Sequence, residues 1–147
     1  MEWIVERDYA REALPKRDPE GHKGSFGEVL ALAGSAGYTG AAWLTAEGAV
    51  RGGCGLVHLG VPEDIWPVEA VKCTSAMPFP LAAKDGGLAL GALEGIREKL
   101  SRCDVLALGP GLGRRAETAE LVRRLLAETG KSVVLDADGI NALAGHI

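Results

Sequence analysis

Four short apolar runs constrain the fold of this sequence more than any other feature. They occupy residues 28–33, 56–61, 104–108 and 132–135, and none contains Asp, Glu, Lys or Arg after its first position. Apolar runs of this length, ended by glycine, proline or aspartate, are typical of parallel strands buried on both faces. We therefore expect these runs to be strands of a parallel sheet.

Between the runs, apolar residues recur with helical spacing. In residues 40–51 they fall at i, i+4, i+7 and i+8, which predicts an amphipathic helix that ends at the Gly52 and Gly53 pair. Residues 93–100 predict a further helix, and residues 117–129 predict the clearest one, with Gly130 as its C-terminal stop. The alternation predicts an α/β doubly wound, mainly parallel sheet with helices on both faces.

Two stretches are less regular. Residues 11–24 are charged, contain two prolines and end in glycine, which indicates an irregular lead-in. Prolines also interrupt residues 62–87, where we expect a short helix around residues 64–71, a strand near Thr74 and a turn at residues 85–87.

Composition argues against two classes of partner. The 20 acidic side chains outnumber the 16 Lys and Arg residues, so a net charge of −4 leaves no cationic excess for nucleic acid. No apolar stretch reaches the roughly 18 residues of a membrane span.

The three cysteines are widely spaced and form no CxxC pair, so we interpret them as buried thiols, without metal, in a reducing cytoplasm.

Glycine-rich or acidic loops follow three of the predicted strands, at residues 34–42, 109–113 and 136–141. Ligands of doubly wound sheets bind outside the carboxyl ends of the strands, where these loops lie. The first loop either seats an anion on backbone N–H groups or is a glycine turn that lets helix and strand pack. The second has three glycines in five residues, which favours close approach of a ligand.

The third loop has two open interpretations. In an extended segment Asp136 and Asp138 would point the same way and orient a substrate hydroxyl or bind a hydrated cation. Alternatively, Asp138 caps the next helix.

Two histidines elsewhere have simpler interpretations. The pair His22 and Lys23 precedes the first strand and can meet phosphate, although an exposed loop is the commoner outcome. His58 lies within the second strand, where a core or interface histidine is commoner than a ligand. Neither a GxSxG elbow nor an HExxH motif occurs, so hydrolase and zinc-protease readings have no support.

Four stretches carry a resemblance to a known family. They are HKGSFGEVLALAGS from His22, YTGAAWLTAEGAVRGGCGLV from Tyr38, LALGPGLGR from Leu106 and VVLDADGINALA from Val133. In this order and spacing, over residues 8–147, the sequence resembles the ADP/ATP-dependent NAD(P)H-hydrate dehydratases. These enzymes are relatives of the ribokinase-like carbohydrate kinases.

The resemblance implies an enzyme that repairs hydrated NADH or NADPH (the S epimer) by removing water, with ADP or ATP and Mg²⁺ as cofactors. It also implies a dinucleotide as the bound partner. The cytoplasmic location is instead inferred from the cysteines, and we expect a homo-oligomer because a parallel sheet cut at its last strand leaves an apolar edge that tends to pair with another chain. Ten residues would border the substrate: Gly40, Ala41, Ala42, Gly109, Gly111, Leu112, Gly113, Asp136, Asp138 and Asn141.

Members of that family continue through an HPxE-type segment and a GxGD segment that carry the nucleotide site and the catalytic aspartate. We therefore expect residues 1–24 to be a lead-in and residues 25–147 to be the N-terminal part of a truncated ribokinase-like domain. The catalytic residue is expected beyond the end of this chain, which alone would turn nothing over. The alternatives are a small-molecule kinase of the same fold, for a carbohydrate or a vitamin, and a non-catalytic fragment that needs a complementary chain.

Overall fold

A computed structural model describes residues 4–14 and 16–146 of the chain. In chain order its regular elements are α1 (Arg7–Ala13), β1 (Glu28–Leu32), α2 (Thr39–Arg51), β2 (Leu56–Pro62), α3 (Trp66–Lys72), β3 (Met77–Leu81), β4 (Ala83–Lys84), β5 (Gly87–Leu88), α4 (Leu93–Ser101), β6 (Val105–Leu108), α5 (Ala116–Glu128), β7 (Ser132–Leu135) and α6 (Asp138–Asn141). Short 3-10 helices occur at Lys23–Phe26 and Leu90–Ala92. In the described part of the chain, no helix is both long and apolar enough to cross a membrane.

Five of the strands form one sheet in the order β3-β2-β1-β6-β7, and every neighbouring pair is parallel. The chain starts in the middle at β1, winds outward to β3, and then crosses to β6 and β7 on the other side. The strand order therefore reverses between β1 and β6. In doubly wound folds, the carboxyl ends of the two strands at such a switch point flank the ligand crevice.

The central strand, β1, is buried on both faces, with leucine side chains on one face and alanine side chains on the other. Leu30 and Leu32 belong to a large core cluster that includes residues of α4 and α5. The alternate residues, Ala31 and Ala33, belong to a second cluster with Ala42 and Ala46 of α2. Because successive side chains of a strand point to opposite faces, one face packs leucines and the other packs alanines closely against α2.

The doubly wound parallel fold predicted from the apolar runs is confirmed, and so are the helices α2, α4 and α5. The third strand begins at Met77 rather than near Thr74 and contains Pro78 and Pro80. It lies at the edge of the sheet, where the missing N–H groups of proline are tolerated.

Three smaller predictions are wrong. Residues 11–24 are not irregular throughout: they include the end of α1, which continues to Ala13, and the start of a 3-10 helix at Lys23. Thr129, in an extended conformation with φ −75° and ψ 131°, ends α5 before Gly130 is reached. The cysteines are all free, but only Cys103 is buried.

An ion pair between a buried glutamate and a partly exposed lysine lies on α3. The side chain of Glu69 is fully buried, and its Oε1 accepts a hydrogen bond of 3.3 Å from Lys72. Lys72 also donates to the carbonyl oxygen of Thr39, at the start of α2, over 2.9 Å. Among the described residues Oε2 of Glu69 has no hydrogen-bond partner. Burial raises the pKa of Glu69 above its usual value of 4.5, and the Lys72 cation only partly offsets this.

We predict that Glu69→Gln makes the stability of the chain less dependent on pH. Because the folded-state pKa is raised, the protonated form favours folding below 4.5, and that contribution is lost as pH rises through the folded-state pKa. Urea unfolding between pH 4 and pH 7 should show the variant gaining stability relative to wild type as pH rises. Glu98→Gln, which removes an exposed carboxylate from α4, is the control, and equal pH trends for all three proteins would contradict the prediction.

Candidate functional site

Backbone hydrogen bonds join the loops that follow β1 and β6 at the switch point. The N–H of Gly34 donates to the carbonyl oxygen of Pro110 over 2.8 Å. The buried Ser35 hydroxyl donates to the carbonyl oxygen of Gly111 over 2.8 Å. Both carbonyl groups belong to the second predicted loop. The first and second loops therefore form one continuous surface at the carboxyl edge of the sheet.

The third loop is joined to the last residue of β6 and to the second loop. Asp136 donates its N–H to the carbonyl oxygen of Leu108 over 3.1 Å, and Oδ2 of Asp138 accepts from the N–H of Gly113 over 2.9 Å. Gly109 lies where the second and third loops cross, and its φ is +135°. A Cβ at Gly109 would collide with the carbonyl oxygen of Asp136. Only glycine fits this crossing.

Gly111 brings the second loop against the start of α2. Its φ is +68°, and a Cβ at this position would lie 2.6 Å from the Cβ of Ala41 and 3.1 Å from the Cβ of Tyr38. The second loop can approach α2 this closely because Gly111 has no side chain and Ala41 has only a methyl group.

The structure corrects both interpretations of the third loop. Ala137 has φ +47° and ψ −116°, so the segment is not extended and the two aspartates do not project as a matched pair. Asp138 is the first residue of α6 and makes no capping bond to that helix. Its carboxylate instead binds Gly113 and accepts a 3.1 Å hydrogen bond from Nδ2 of Asn141.

Three of the ten predicted site residues lie beneath the loop surface. Ala42 is 0% exposed and Leu112 is 1% exposed, each within a core cluster, and Gly109 is buried. These three residues are buried under the loops and do not face the solvent. The other seven are exposed or half-buried: Gly40, Ala41, Gly111, Gly113, Asp136, Asp138 and Asn141.

An open cleft of about 680 Å³ lies over the joined loops, lined by Tyr38, Gly113, Arg114, Arg115 and Asp138. Its size is within the range of small-molecule sites, roughly 300–1,000 Å³. A smaller cavity of about 200 Å³ shares Gly113, Arg114 and Asp138 with the cleft and extends to Asn141. The second and third loops therefore contribute to one concave region.

The sequence-based prediction missed two cations at this cleft. Nε of Arg114 lies 3.8 Å from Oδ1 of Asp138, and the Arg114 side chain is 79% exposed. A Cβ on Gly113 would come within 2.7 Å of Nη1 of Arg115, so the absence of a side chain there leaves room for this guanidinium. The signal was present in the sequence, because two arginines follow the GPGLG segment directly.

A hairpin outside the sheet supports the first loop. The strands β4 and β5 are joined by Asp85 and Gly86, and the carbonyl oxygen of Gly86 accepts from the N–H of Ala36 over 2.8 Å. Glu117 ties the hairpin to α5 through a 3.0 Å ion pair with Lys84. The pKa of Glu117 is lowered by the hydrogen bond from the N–H of Leu90 and by Lys84.

Two histidines lie away from this edge. His22 accepts a hydrogen bond of 3.1 Å from the N–H of Gly24 and caps the 3-10 helix, so its ring has a structural role. Nε2 of His58 lies 3.4 Å from Oε2 of Glu28, at the amino end of the sheet. The His58 side chain is 15% exposed, so the interpretation of His58 as a core histidine agrees with its burial.

A family model described as NAD(P)H-hydrate dehydratase matches residues 29–147. The bifunctional NAD(P)H-hydrate repair enzyme Nnr of Moorella thermoacetica is 44% identical over 137 residues, which cover 92% of this chain and 26% of the relative. The ADP-dependent (S)-NAD(P)H-hydrate dehydratase of Streptococcus pneumoniae is 30% identical over 92% of this chain and 44% of its own length. The chain thus spans about a quarter of the bifunctional relatives and under half of this dehydratase.

Solved structures show the same fold. A ribokinase-like superfamily protein of Enterococcus faecalis has a TM-score of 0.81 at 21% identity, covering 96% of this chain and 47% of that protein. The ADP/ATP-dependent NAD(P)H-hydrate dehydratase of Bacillus subtilis, co-crystallised with ATP and Mg²⁺, has a TM-score of 0.68 at 30% identity. The match covers 90% of this chain and 44% of that enzyme.

We predict that Gly111→Ala destabilises the chain more than Gly37→Ala does. Gly37 also has a positive φ, +88°, but a Cβ there meets nothing within 4 Å, so its substitution measures the conformational cost alone, about 1–2 kcal/mol. At Gly111 the overlap with Ala41 adds a further cost of about 1–3 kcal/mol. Urea unfolding of both variants measures the difference, and equal losses would contradict a close approach at Gly111.

Proposed function

Because this chain belongs to the NAD(P)H-hydrate dehydratase family, we propose that it works in nicotinamide nucleotide repair. The proposed reaction is the ADP- or ATP-dependent removal of water from the S epimer of hydrated NADH or NADPH. The observation that carries the proposal is the junction of three loops at the switch point of the sheet, with an open cleft above it. The similarity to the ADP-dependent (S)-NAD(P)H-hydrate dehydratase of S. pneumoniae supports the same substrate class.

The chemistry accounts for the use of a nucleotide. Hydroxide is a poor leaving group, so the hydrated ring does not lose water readily. A bound nucleotide would supply the phosphoryl group that converts the ring hydroxyl into a phosphate ester, a better leaving group. Departure of inorganic phosphate, assisted by the lone pair of the ring nitrogen, and loss of one ring proton would together remove the elements of water. The task of this chain's residues is to hold the ring and the dinucleotide in place.

We assign binding roles to the exposed part of the loop surface. Gly40 and Ala41, in the first turn of α2, and the backbone of Gly111 and Gly113 offer close contact to a flat ring. Asp136, Asp138 and Asn141 border the same edge with polar groups. Arg114 and Arg115 supply the local positive charge that a diphosphate needs on a chain with a net charge of −4. None of these residues is assigned a catalytic role.

Nucleotide and Mg²⁺ are proposed from the relatives, one of which was crystallised with ATP and Mg²⁺. The loop edge does not fit a resident metal site. Within residues 4–14 and 16–146, the one group of three suitable ligands is Glu28, His58 and Cys103, at the other end of the strands. No step is therefore assigned to a metal held by this chain.

We also propose that the chain acts in the cytoplasm and associates with other copies. The strand β7 is an edge of the sheet, and its Val134 side chain is 62% exposed beside the half-buried Ala107 of β6. The unpaired backbone N–H and C=O groups of an edge strand, with an exposed valine beside them, favour pairing with another chain.

We predict that Gly40→Leu weakens binding of hydrated NADH at least about tenfold, because a side chain there occupies the space proposed for the ring. The fold should tolerate it, since a Cβ at Gly40 meets nothing within 4 Å. Gly48→Leu is the matched control, because Gly48 lies on the same helix with equally open space. Isothermal titration calorimetry measures the affinities. Equal binding by both variants, or no binding by wild type, would overturn the proposal.

For association, we predict that Val134→Lys reduces self-association at equal concentration. A cation on an exposed edge strand opposes edge-to-edge pairing. Val71→Lys, on α3 where the side chain is 85% exposed, is the control and should leave association unchanged. Sedimentation velocity over a concentration series distinguishes the three proteins. A wild-type chain that stays monomeric at all concentrations would count against the association.

A further inference from the structure

Three potential metal ligands meet at the amino ends of the strands, opposite the loop junction. Glu28 is the first residue of β1, His58 lies in β2 and Cys103 lies between α4 and β6. The carboxylate oxygen, the ring nitrogen and the sulfur all lie within 4.8 Å of one another. Nothing in the proposed dehydration uses these residues.

The fold fixes the positions of all three. In the parallel register Glu28 pairs with Leu56 and Leu30 pairs with His58, so the side chains of Glu28 and His58 lie on the same face of the sheet. Cys103 is 0% exposed and belongs to the core cluster on that face.

Asp104 holds the segment of Cys103 against β1. The N–H of Glu28 donates to Oδ2 of Asp104, and the N–H of Asp104 donates to the carbonyl oxygen of Glu28, each over 2.8 Å. The three ligand atoms are therefore carried by backbone that is already fixed by hydrogen bonds.

The spacing of His58 and Glu28 suits a shared ion as well as a long hydrogen bond. Nε2 of His58 and Oε2 of Glu28 are 3.4 Å apart, longer than the roughly 2.7–3.2 Å usual for N–H···O bonds. Two ligands bound tetrahedrally to one zinc ion, at about 2.0–2.3 Å each, lie roughly 3.3–3.6 Å apart. The sulfur of Cys103 lies within 4.8 Å of both atoms, and its thiol donates to the carbonyl oxygen of Lys99 over 3.4 Å, a bond that a bound ion would replace.

We propose that Glu28, His58 and Cys103 form a binding site for Zn²⁺ or another divalent transition ion that accepts nitrogen, oxygen and sulfur ligands. One carboxylate and one thiolate balance the charge of the ion. The side chains of His58 and Glu28 are 15% and 27% exposed, so solvent reaches the site and water completes the coordination. Bound metal ties β1, β2 and the segment before β6 together, and this assignment replaces the metal-free interpretation of Cys103 and His58 drawn from the sequence.

The sequence pattern did not reveal this site because its ligands are far apart in the chain. Glu28 and His58 are 30 residues apart, and Cys103 follows much later. No short motif connects them. They meet only because β1 lies between β2 and β6 in the sheet.

The test is a Co²⁺ titration of the untagged chain, followed by the near-ultraviolet charge-transfer band of a cobalt–thiolate bond. Wild type should show the band with one equivalent of Co²⁺, and Zn²⁺ should abolish it by displacement. Cys103→Ser should lack the band, while Cys73→Ser, which removes a half-buried thiol elsewhere, should retain it. Absence of the band in wild type, or its persistence in Cys103→Ser, would overturn the site.

A second variant guards against misfolding of the buried cysteine mutant. Glu28→Gln alters a partly exposed side chain, keeps its volume, and should weaken Co²⁺ binding at least about tenfold. Thermal unfolding followed by circular dichroism gives an independent measurement. Because an ion that binds only the folded state stabilises it, Zn²⁺ should raise the Tm of wild type and raise that of Glu28→Gln much less. Equal shifts for the two proteins would contradict the proposal.

Discussion

The close backbone crossing of the loops after β6 and β7 is the constraint on which the carboxyl edge of this molecule depends. Gly109 passes so near the carbonyl oxygen of Asp136 that no side chain fits, and Gly113 is bound by the carboxylate of Asp138. With these contacts in place, the loop after β1 can bond to Pro110 and Gly111. The cleft therefore depends on peptide groups held in register more than on any single side chain.

The two faces of the sheet pack differently. On one face, leucines of β1 and β6 pack with α4 and α5 and form the larger core. On the other face, alanines of β1 and α2 let that helix lie close to the sheet, which brings its first turn to the loop junction. The leucine layer thus supplies most of the apolar burial, while the alanine layer sets the geometry of the candidate site.

Local patterns predicted the fold well because apolar runs and helical spacing report burial directly. Local patterns were less informative where the position of a strand or the partner of a side chain depends on contacts between residues distant in sequence. Pro78 and Pro80 are compatible with a strand only because β3 is at an edge. Asp138 was expected to pair or to cap, yet its nearest donor is Gly113, 25 residues away. The resemblance identified the loops but not that Ala42 and Leu112 lie beneath them.

The hydrogen bond from Ser35 to Gly111 closes a loop of 76 residues, and β1 pairs with β6 across the same separation. Closing so long a loop costs only about 0.9 kcal/mol more chain entropy than closing the 28-residue separation between β1 and β2, because this cost rises with the logarithm of loop length. We therefore expect β1 to pair with β2, from which it is separated by one helix, before it pairs with β6. The carboxyl edge with its cleft depends on the pairing of β1 with β6, so it is expected to form after the layer of α2.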